Sequence, residues 1–239
     1  MFRRTAARCL LLGSLGLAPL MAPAQTSGPA GTTPAPASPA AKAAQARATQ
    51  AALDAYAAGR LDEARAGFAA LSVQGLPLAD FNLAMMHLRG EMPRPDPREA
   101  VRLLERAATA GFVTAQYTLG QIHEAGEWVP RNLVVANRWY ELAAASGSVD
   151  GQVAIGTAHY LGRGAPKDPA LAARWYREAA KGGDVGAQYL LASMYEQGDG
   201  VGADLRLARY WYDIAAKNGD EAAPAKVIEL DRRLSSPAT

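Results

Sequence analysis

The chain has 239 residues, of which 49% are hydrophobic and 20% charged, a composition typical of a globular protein. Its single cysteine excludes a disulfide framework and any multi-cysteine metal site. The 25 basic and 23 acidic residues leave a net charge of only +2, so composition gives no sign of a nucleic-acid partner and we expect none.

Residues 1–24 have the pattern of a secretory signal peptide. Three arginines, the last of them Arg8, precede an apolar run over 9–21, and Ala22-Pro23-Ala24 is a typical cleavage site. The run is too short for a stable transmembrane helix, which needs about 20 residues. We therefore expect cleavage near Ala24, a periplasmic or secreted protein, and no stable insertion into the membrane.

The next segments change from linker to helix composition. Residues 25–39 are rich in Pro, Ala, Ser and Thr and predict a disordered linker. Residues 40–76 contain two apolar-periodic stretches on either side of Gly59. They predict a helical hairpin that caps the amino end of whatever follows.

From Ala79 onward the sequence repeats itself with a period of 36 residues. In register, each copy has a mid-helix apolar residue beside a small one, a glycine, an Asp or Asn, an aromatic or apolar pair, two alanines and a second glycine. The copies are 79–114, 115–150, 151–186 and 187–222. Residues 223–234 predict a final capping helix. A repeat of this length cannot bury its apolar face alone, so the copies must stack.

The recurring residues suit a unit of helix, turn and helix. The Asp or Asn column predicts N-caps for the second helices, at Asp96, Asn132, Asp168 and Asp204. The glycine columns suit left-handed residues at helix ends. The pairs Trp139-Tyr140, Trp175-Tyr176 and Trp211-Tyr212 are predicted to fill the space between units, where small residues let the helices approach closely.

These strings resemble the Sel-one-like repeat (SLR) family of the tetratricopeptide-repeat superfamily. The similarity is clearest in AQYTLGQIHEAGE and in GQVAIGTAHYLGRGAPKDPALAARWYREAAKGGD. The copy from Ala79 is degenerate, because Leu103-Leu104 replaces the aromatic pair. The resemblance implies an all-α fold, a right-handed α/α solenoid of stacked helix-turn-helix repeats.

The resemblance also implies an exported scaffold, adaptor or regulator that binds a protein or peptide partner in a concave groove. We expect no enzyme activity and no cofactor, since the sequence has no catalytic or phosphate-binding motif. We also expect a monomer. The alternative is a β-lactam-binding or β-lactam-hydrolysing protein, as for cysteine-rich relatives of the family. Those relatives carry disulfides that the chain without its signal peptide lacks.

One repeat column contains all the histidines, His87, His123 and His159, and is completed by Tyr195. A metal ladder is one interpretation of this column. Zinc requires two ligand nitrogens within roughly 4 Å of each other, whereas equivalent residues on stacked helices are about 8–10 Å apart. We therefore predict packing residues and no metal site.

The groove itself is predicted on the first helix of each repeat. Positions before, after and one turn beyond the central apolar residue should project into it. They are Phe81, Met85, Leu88, Tyr117, Gln121, Glu124, Val153, Thr157, Tyr160, Tyr189, Ser193 and Glu196. Aromatic and Met anchors beside polar groups suit the capture of a peptide. The alternative for the tyrosines is packing between units, and for Phe81, Met85 and Leu88 a seal against the amino-terminal hairpin.

A row of arginines in the first repeat gives a weaker indication. Arg94, Arg98, Arg102 and Arg106 are spaced four residues apart, so they share one helix face. Such a row is usually a solvated surface. If it binds a partner, that partner should be acidic and its affinity should fall with added salt.

Overall fold

A computed structural model gives the structure of residues 38–235, and every regular element in this range is an α-helix. The predicted signal peptide and nearly all of the predicted linker lie outside the described residues. The helices are α1 (Pro39–Ala57), α2 (Leu61–Val73), α3 (Pro77–Leu88), α4 (Pro97–Thr109), α5 (Val113–Ala125), α6 (Leu133–Ala145), α7 (Val149–Leu161), α8 (Pro169–Lys181), α9 (Val185–Gln197), α10 (Leu205–Lys217) and α11 (Ala223–Ser235). The all-α prediction is confirmed.

The described residues divide into two compact units, one that ends at Leu71 and one that begins at Ser72. In the first, the Ser38 side chain accepts a hydrogen bond from the Ala41 amide at 3.2 Å and caps α1. The rings of Tyr56 and Phe68 lie 6.4 Å apart between α1 and α2, and Phe68 is fully buried. The two helices predicted around Gly59 are therefore present.

The second unit contains four consecutive helix pairs. We call α3, α5, α7 and α9 the first helices and α4, α6, α8 and α10 the second helices. The predicted N-caps are confirmed, since Asp96, Asn132, Asp168 and Asp204 each accept at least one amide hydrogen bond in the first turn of a second helix. The first helices of three repeats end at glycines with φ between 71° and 74°, a conformation that favours glycine, at Gly126, Gly162 and Gly198.

Aromatic residues of the second helices pack against small residues of the first helices. The rings of Tyr140, Tyr176 and Tyr212 are buried. A Cβ added to Gly120 would lie 2.4 Å from the Tyr140 ring, so only glycine admits that ring in its present place. The tryptophans of the predicted pairs are half-buried, and Trp175 packs on a cluster formed by α6 and α7. The tyrosine of each pair, more than the tryptophan, is therefore the enclosed residue.

A polar side chain near the start of each first helix binds neighbouring residues. Gln116, Gln152 and Gln188 donate to a carbonyl oxygen of the preceding repeat at 3.1–3.3 Å. The first repeat has Asp80 at this position, and a carboxylate cannot donate. Instead the buried Asp80 accepts hydrogen bonds from Arg106 of α4.

Helix α11 packs on the fourth repeat. Ala223 and Leu230 are buried in one cluster with Ala192, Ala208 and Tyr212. The predicted final helix over 223–234 is therefore present. It covers an apolar side of α10 that includes Ala208 and Tyr212.

Candidate binding site

The twelve candidate groove residues lie on α3, α5, α7 and α9, and we call the surface that they form the first-helix face. Gln121 is exposed and the other eleven are half-buried. None of the twelve is fully buried, although their helices contain buried residues such as Leu83, Leu119 and Leu191. These side chains are therefore more accessible than the core residues of the same helices, although some of them, such as Tyr117 and Tyr189, still pack against core clusters.

Aromatic side chains of the first-helix face contact a second ring. The ring centroids of Phe81 and Phe112 are 5.3 Å apart, and those of Tyr117 and Tyr140 are 5.5 Å apart. Tyr189 meets Tyr212 at 5.0 Å with an edge-to-face geometry. Each of these tyrosine rings packs against a second helix and is still partly accessible.

Three tyrosines of the second helices reach the same face with their hydroxyl groups. Tyr140 donates to Glu124 at 2.7 Å, and Tyr212 donates to Glu196 at 3.0 Å. The Tyr176 hydroxyl lies 3.0 Å from the Thr157 hydroxyl. Sequence reasoning assigned these tyrosines to packing alone. The signal it missed is that three repeats have Tyr at a position that Phe would fill equally well.

Burial controls the protonation of these phenols. Burial first, and then the hydrogen bond to a carboxylate, raises the pKa of both Tyr140 and Tyr212 above its ordinary value. Burial also raises the pKa of Tyr117, and the negative charges of Asp150 and Glu124 add to the effect. These hydroxyls are therefore neutral hydrogen-bonding groups at physiological pH.

The far end of each first helix meets a charged residue of the following element. Glu124 lies 3.5 Å from Arg163 in the loop of the next repeat. Glu196 is 2.8 Å from Arg233 and 3.4 Å from Lys226, both on α11. The Glu196 side chain is only 10% exposed, so this candidate residue is engaged by the chain itself.

The two sets of helices differ sharply in charge. The first helices contain four acidic residues and no Lys or Arg. The second helices contain ten basic and five acidic residues. A ligand at the first-helix face therefore meets aromatic rings, hydroxyls and carboxylates, whereas the opposite set of helices presents mostly positive charge.

Two histidines of the repeat column contact the loops of their own repeats. The His87 Nδ1 accepts a hydrogen bond from the Asp96 amide at 3.0 Å, and the His159 Nδ1 lies 3.3 Å from the Pro166 carbonyl oxygen. The His123 Nδ1 is buried without a hydrogen-bond partner, and burial lowers the pKa of this imidazole. Across residues 38–235, no group of three or more His, Cys, Asp and Glu side chains is placed to hold a metal ion.

The arginine row of the first repeat is partly neutralised. Arg102 forms an ion pair with Glu99 at 2.6 Å, and Arg106 is paired with Asp80. Arg94 and Arg98 are exposed. The row therefore offers two cations to a partner where the sequence pattern suggested four.

The fold and the first-helix face define a helical-repeat protein whose repeats stack into a solenoid. The Sel1 repeat family model matches residues 77–112, 113–148, 149–184 and 185–220, more than half of the chain. The chain therefore belongs to the Sel1 repeat family, a family of protein-interaction modules. The matched copies have the predicted period of 36 residues and begin two residues earlier than the copies counted from Ala79.

Solved structures of the same family resemble the chain. A Sel1 repeat protein from Oxalobacter formigenes is 28% identical with a TM-score of 0.71, and the match covers 76% of this chain and 74% of that one. A protective antigen of uropathogenic Escherichia coli with an SLR fold is 30% identical with a TM-score of 0.68. That match covers 74% of this chain and only 38% of the antigen.

Two negative findings complete the comparison. No curated protein matches the chain. Among residues 38–235, no helix combines the length and the apolar character needed to cross a membrane.

Proposed function

We propose that the protein is an exported, non-catalytic interaction module that binds a peptide or protein segment along the first-helix face, the wall of the solenoid groove. The observation that carries this proposal is the character of that face. It has partly accessible Phe, Met and Tyr side chains beside hydroxyl and carboxylate groups, and its helices contain no Lys or Arg. Aromatic anchors with polar neighbours are the side chains that dominate binding energies at protein interfaces.

Export follows from the predicted signal peptide at residues 1–24. Its removal leaves a chain that begins at Gln25. Amino-terminal sequencing of the protein from the periplasm and the medium tests this directly. An intact Met1 end in the cytosol contradicts it.

Site-specific photocrosslinking tests the binding face. A photoreactive phenylalanine analogue at Gln121, the exposed member of the face, should crosslink the partner in cells. The matched control is the same analogue at Glu141, an exposed position on the second helix of the same repeat. Crosslinks from position 121 and not from 141 support the proposal. Crosslinks from 141 alone move the site to the opposite helices.

Alanine replacement then tests the anchors. The variant with Phe81→Ala, Met85→Ala and Tyr117→Ala should lose the crosslink formed from position 121. Because two of these rings also contact other rings, helicity and thermal unfolding must be measured alongside. A variant that is folded and still crosslinks the partner shows that these residues are not the anchors.

A further inference from the structure

The junctions between repeats share one arrangement. The last turn of a first helix faces the loop of the next repeat or, after the fourth repeat, helix α11. At the second and fourth repeats this turn contains a glutamate, and the chain supplies its own cation. Arg163 lies beside Glu124, and Arg233 and Lys226 lie beside Glu196. In both cases a carboxylate at the edge of the first-helix face is neutralised within the molecule.

The junction of the third and fourth repeats is different. Here the carboxylate is on the loop, at Asp199, and the last turn of the first helix contains Tyr160. The Asp199 carboxylate interacts with the Tyr160 hydroxyl, and this interaction raises the pKa of Tyr160. A hydroxyl satisfies one lone pair of a carboxylate but does not neutralise its charge. Within residues 38–235, no Lys, Arg or His forms an ion pair with Asp199.

Asp199 also lines a shallow open cleft between these two repeats. Leu190 and Met194 of α9 form its apolar wall, and Leu190 is 38% exposed. Tyr160, Ser193, Gln197 and Asp199 supply its polar groups. The cleft therefore combines an apolar surface and an aromatic ring with one carboxylate that has no cation.

This combination matches the side chains of arginine and lysine. Both have an aliphatic stem that packs on apolar surface and a charged head that remains at the polar end. The head can pair with a carboxylate and can also lie over an aromatic face. The chain uses the same chemistry where Arg177 reaches Tyr195, with a hydrogen bond of 2.8 Å and the guanidinium 5.9 Å from the ring centroid.

We propose that the cleft between the third and fourth repeats binds an arginine or lysine side chain of the partner, with Asp199 as its counter-ion. This inference rests on the proposed function, because the basic side chain belongs to the segment held by the first-helix face. The absence of Lys and Arg from the first helices fits a basic occupant, since no positive charge on these helices opposes it.

The repeat structure provides a matched control. Glu127 occupies the position of Asp199 two repeats earlier, in the loop of the second repeat. It is exposed, and the equivalent of Tyr160 there is Leu88, which cannot donate a hydrogen bond. Removing this charge therefore tests whether any loop carboxylate attracts a cation or only the one in the cleft.

The test uses two blocked pentapeptides, acetyl-Ala-Ala-Arg-Ala-Ala-amide and the same peptide with citrulline, the uncharged analogue of arginine. Binding is followed by amide chemical shifts in ¹⁵N-labelled protein. We expect the arginine peptide to shift resonances between Leu190 and Asp199. Citrulline in the peptide, or Asp199→Asn in the protein, should weaken binding about tenfold, and Glu127→Gln should leave it unchanged.

Equal affinity for the two peptides overturns the inference, and so does the absence of any shift in the cleft. Asp199→Asn removes the charge of a half-buried loop side chain and keeps its size, so we expect the variant to fold. If it does not, the citrulline comparison on the unaltered protein decides alone. If a partner is crosslinked from position 121 but the cleft does not prefer the arginine peptide, only this inference is overturned. If the cleft prefers the arginine peptide but no partner is crosslinked from position 121, the proposed function is overturned.

Discussion

The first repeat and the three later repeats each form a pair of helices, but they have different side chains at equivalent positions. The later repeats have Gln at the start of the first helix and Tyr on the second helix, whereas the first repeat has Asp80 and Leu104. Gln116 binds the preceding repeat, but Asp80 is bound by Arg106 within its own repeat. The polar side chain at this position can therefore be bound from either side, by the preceding repeat at Gln116 or by its own repeat at Asp80.

The largest effect should come from removing a buried tyrosine of a later repeat. Tyr176 is 2% exposed, and its ring lies against Gly156. Tyr176→Ala should lower the free energy of unfolding by about 3–5 kcal/mol, the range for large buried aromatic residues. Urea denaturation provides the measurement. Trp175→Ala is the control, and its effect should be smaller because this tryptophan is only half-buried. Equal losses would show that both residues of the pair support the core.

The ion pair of the first repeat can be converted into the arrangement of the second. Arg106→Leu leaves the buried Asp80 without its cation and should cost about 3 kcal/mol, the lower end for breaking a buried pair, because Arg106 is 44% exposed. The second repeat has Gln116 and Leu142 at these positions. Adding Asp80→Gln to Arg106→Leu should therefore recover most of the lost stability.

Unfolding of the two variants and of the unaltered protein completes this experiment. If the double variant is no more stable than Arg106→Leu, the later repeats are not a template for the first. The position of residue 80 would then require a charge for a reason that the hydrogen bonds do not explain.

Glycines inside the first helices give a smaller effect that differs between two later repeats. A Cβ on Gly120 would lie 2.4 Å from the Tyr140 ring, but one on Gly156 would lie 3.1 Å from the Tyr176 ring. Gly120→Ala should lower the free energy of unfolding by about 1–3 kcal/mol through overpacking. Gly156→Ala should change it by less than about 1 kcal/mol, since the helix propensity of alanine offsets the contact. Equal thermal shifts for the two variants would contradict this distinction.

The features predicted correctly from sequence depend on neighbours in the chain. Asp96 caps α4 because its side chain reaches amides two and three residues away, and the period of 36 fixes where this happens again. These are local consequences of residue type and spacing.

The features that sequence did not reveal depend on distant partners. Glu196 was predicted to project into the groove. In the structure its carboxylate accepts a hydrogen bond from Arg233, which lies 37 residues further along the chain on α11. The hydroxyls of the buried tyrosines reach the first-helix face only because of how the helix pairs cross. Asp199 lines a cleft with Tyr160, 39 residues earlier, and this separation became recognisable only when the structure showed Glu124 and Arg163 in contact at the same separation.

The smallest expected effect concerns pH and the histidine column of the later repeats. Burial lowers the pKa of His123, and its Nδ1 has no hydrogen-bond partner. As pH falls below the ordinary histidine pKa of about 6.5, the unfolded chain binds a proton that the folded chain resists, so stability must decrease.

In the fourth repeat Tyr195 occupies the position of His123 and receives a hydrogen bond from Arg177. We expect His123→Tyr to reduce the loss of stability between about pH 7.5 and pH 5, measured as the difference in free energy of unfolding between the two conditions. Because other groups titrate equally in both proteins, the change in this difference isolates His123. An identical pH dependence in the variant would mean that the buried imidazole accepts a proton in the folded state, and that the neighbouring Glu105 compensates for the burial.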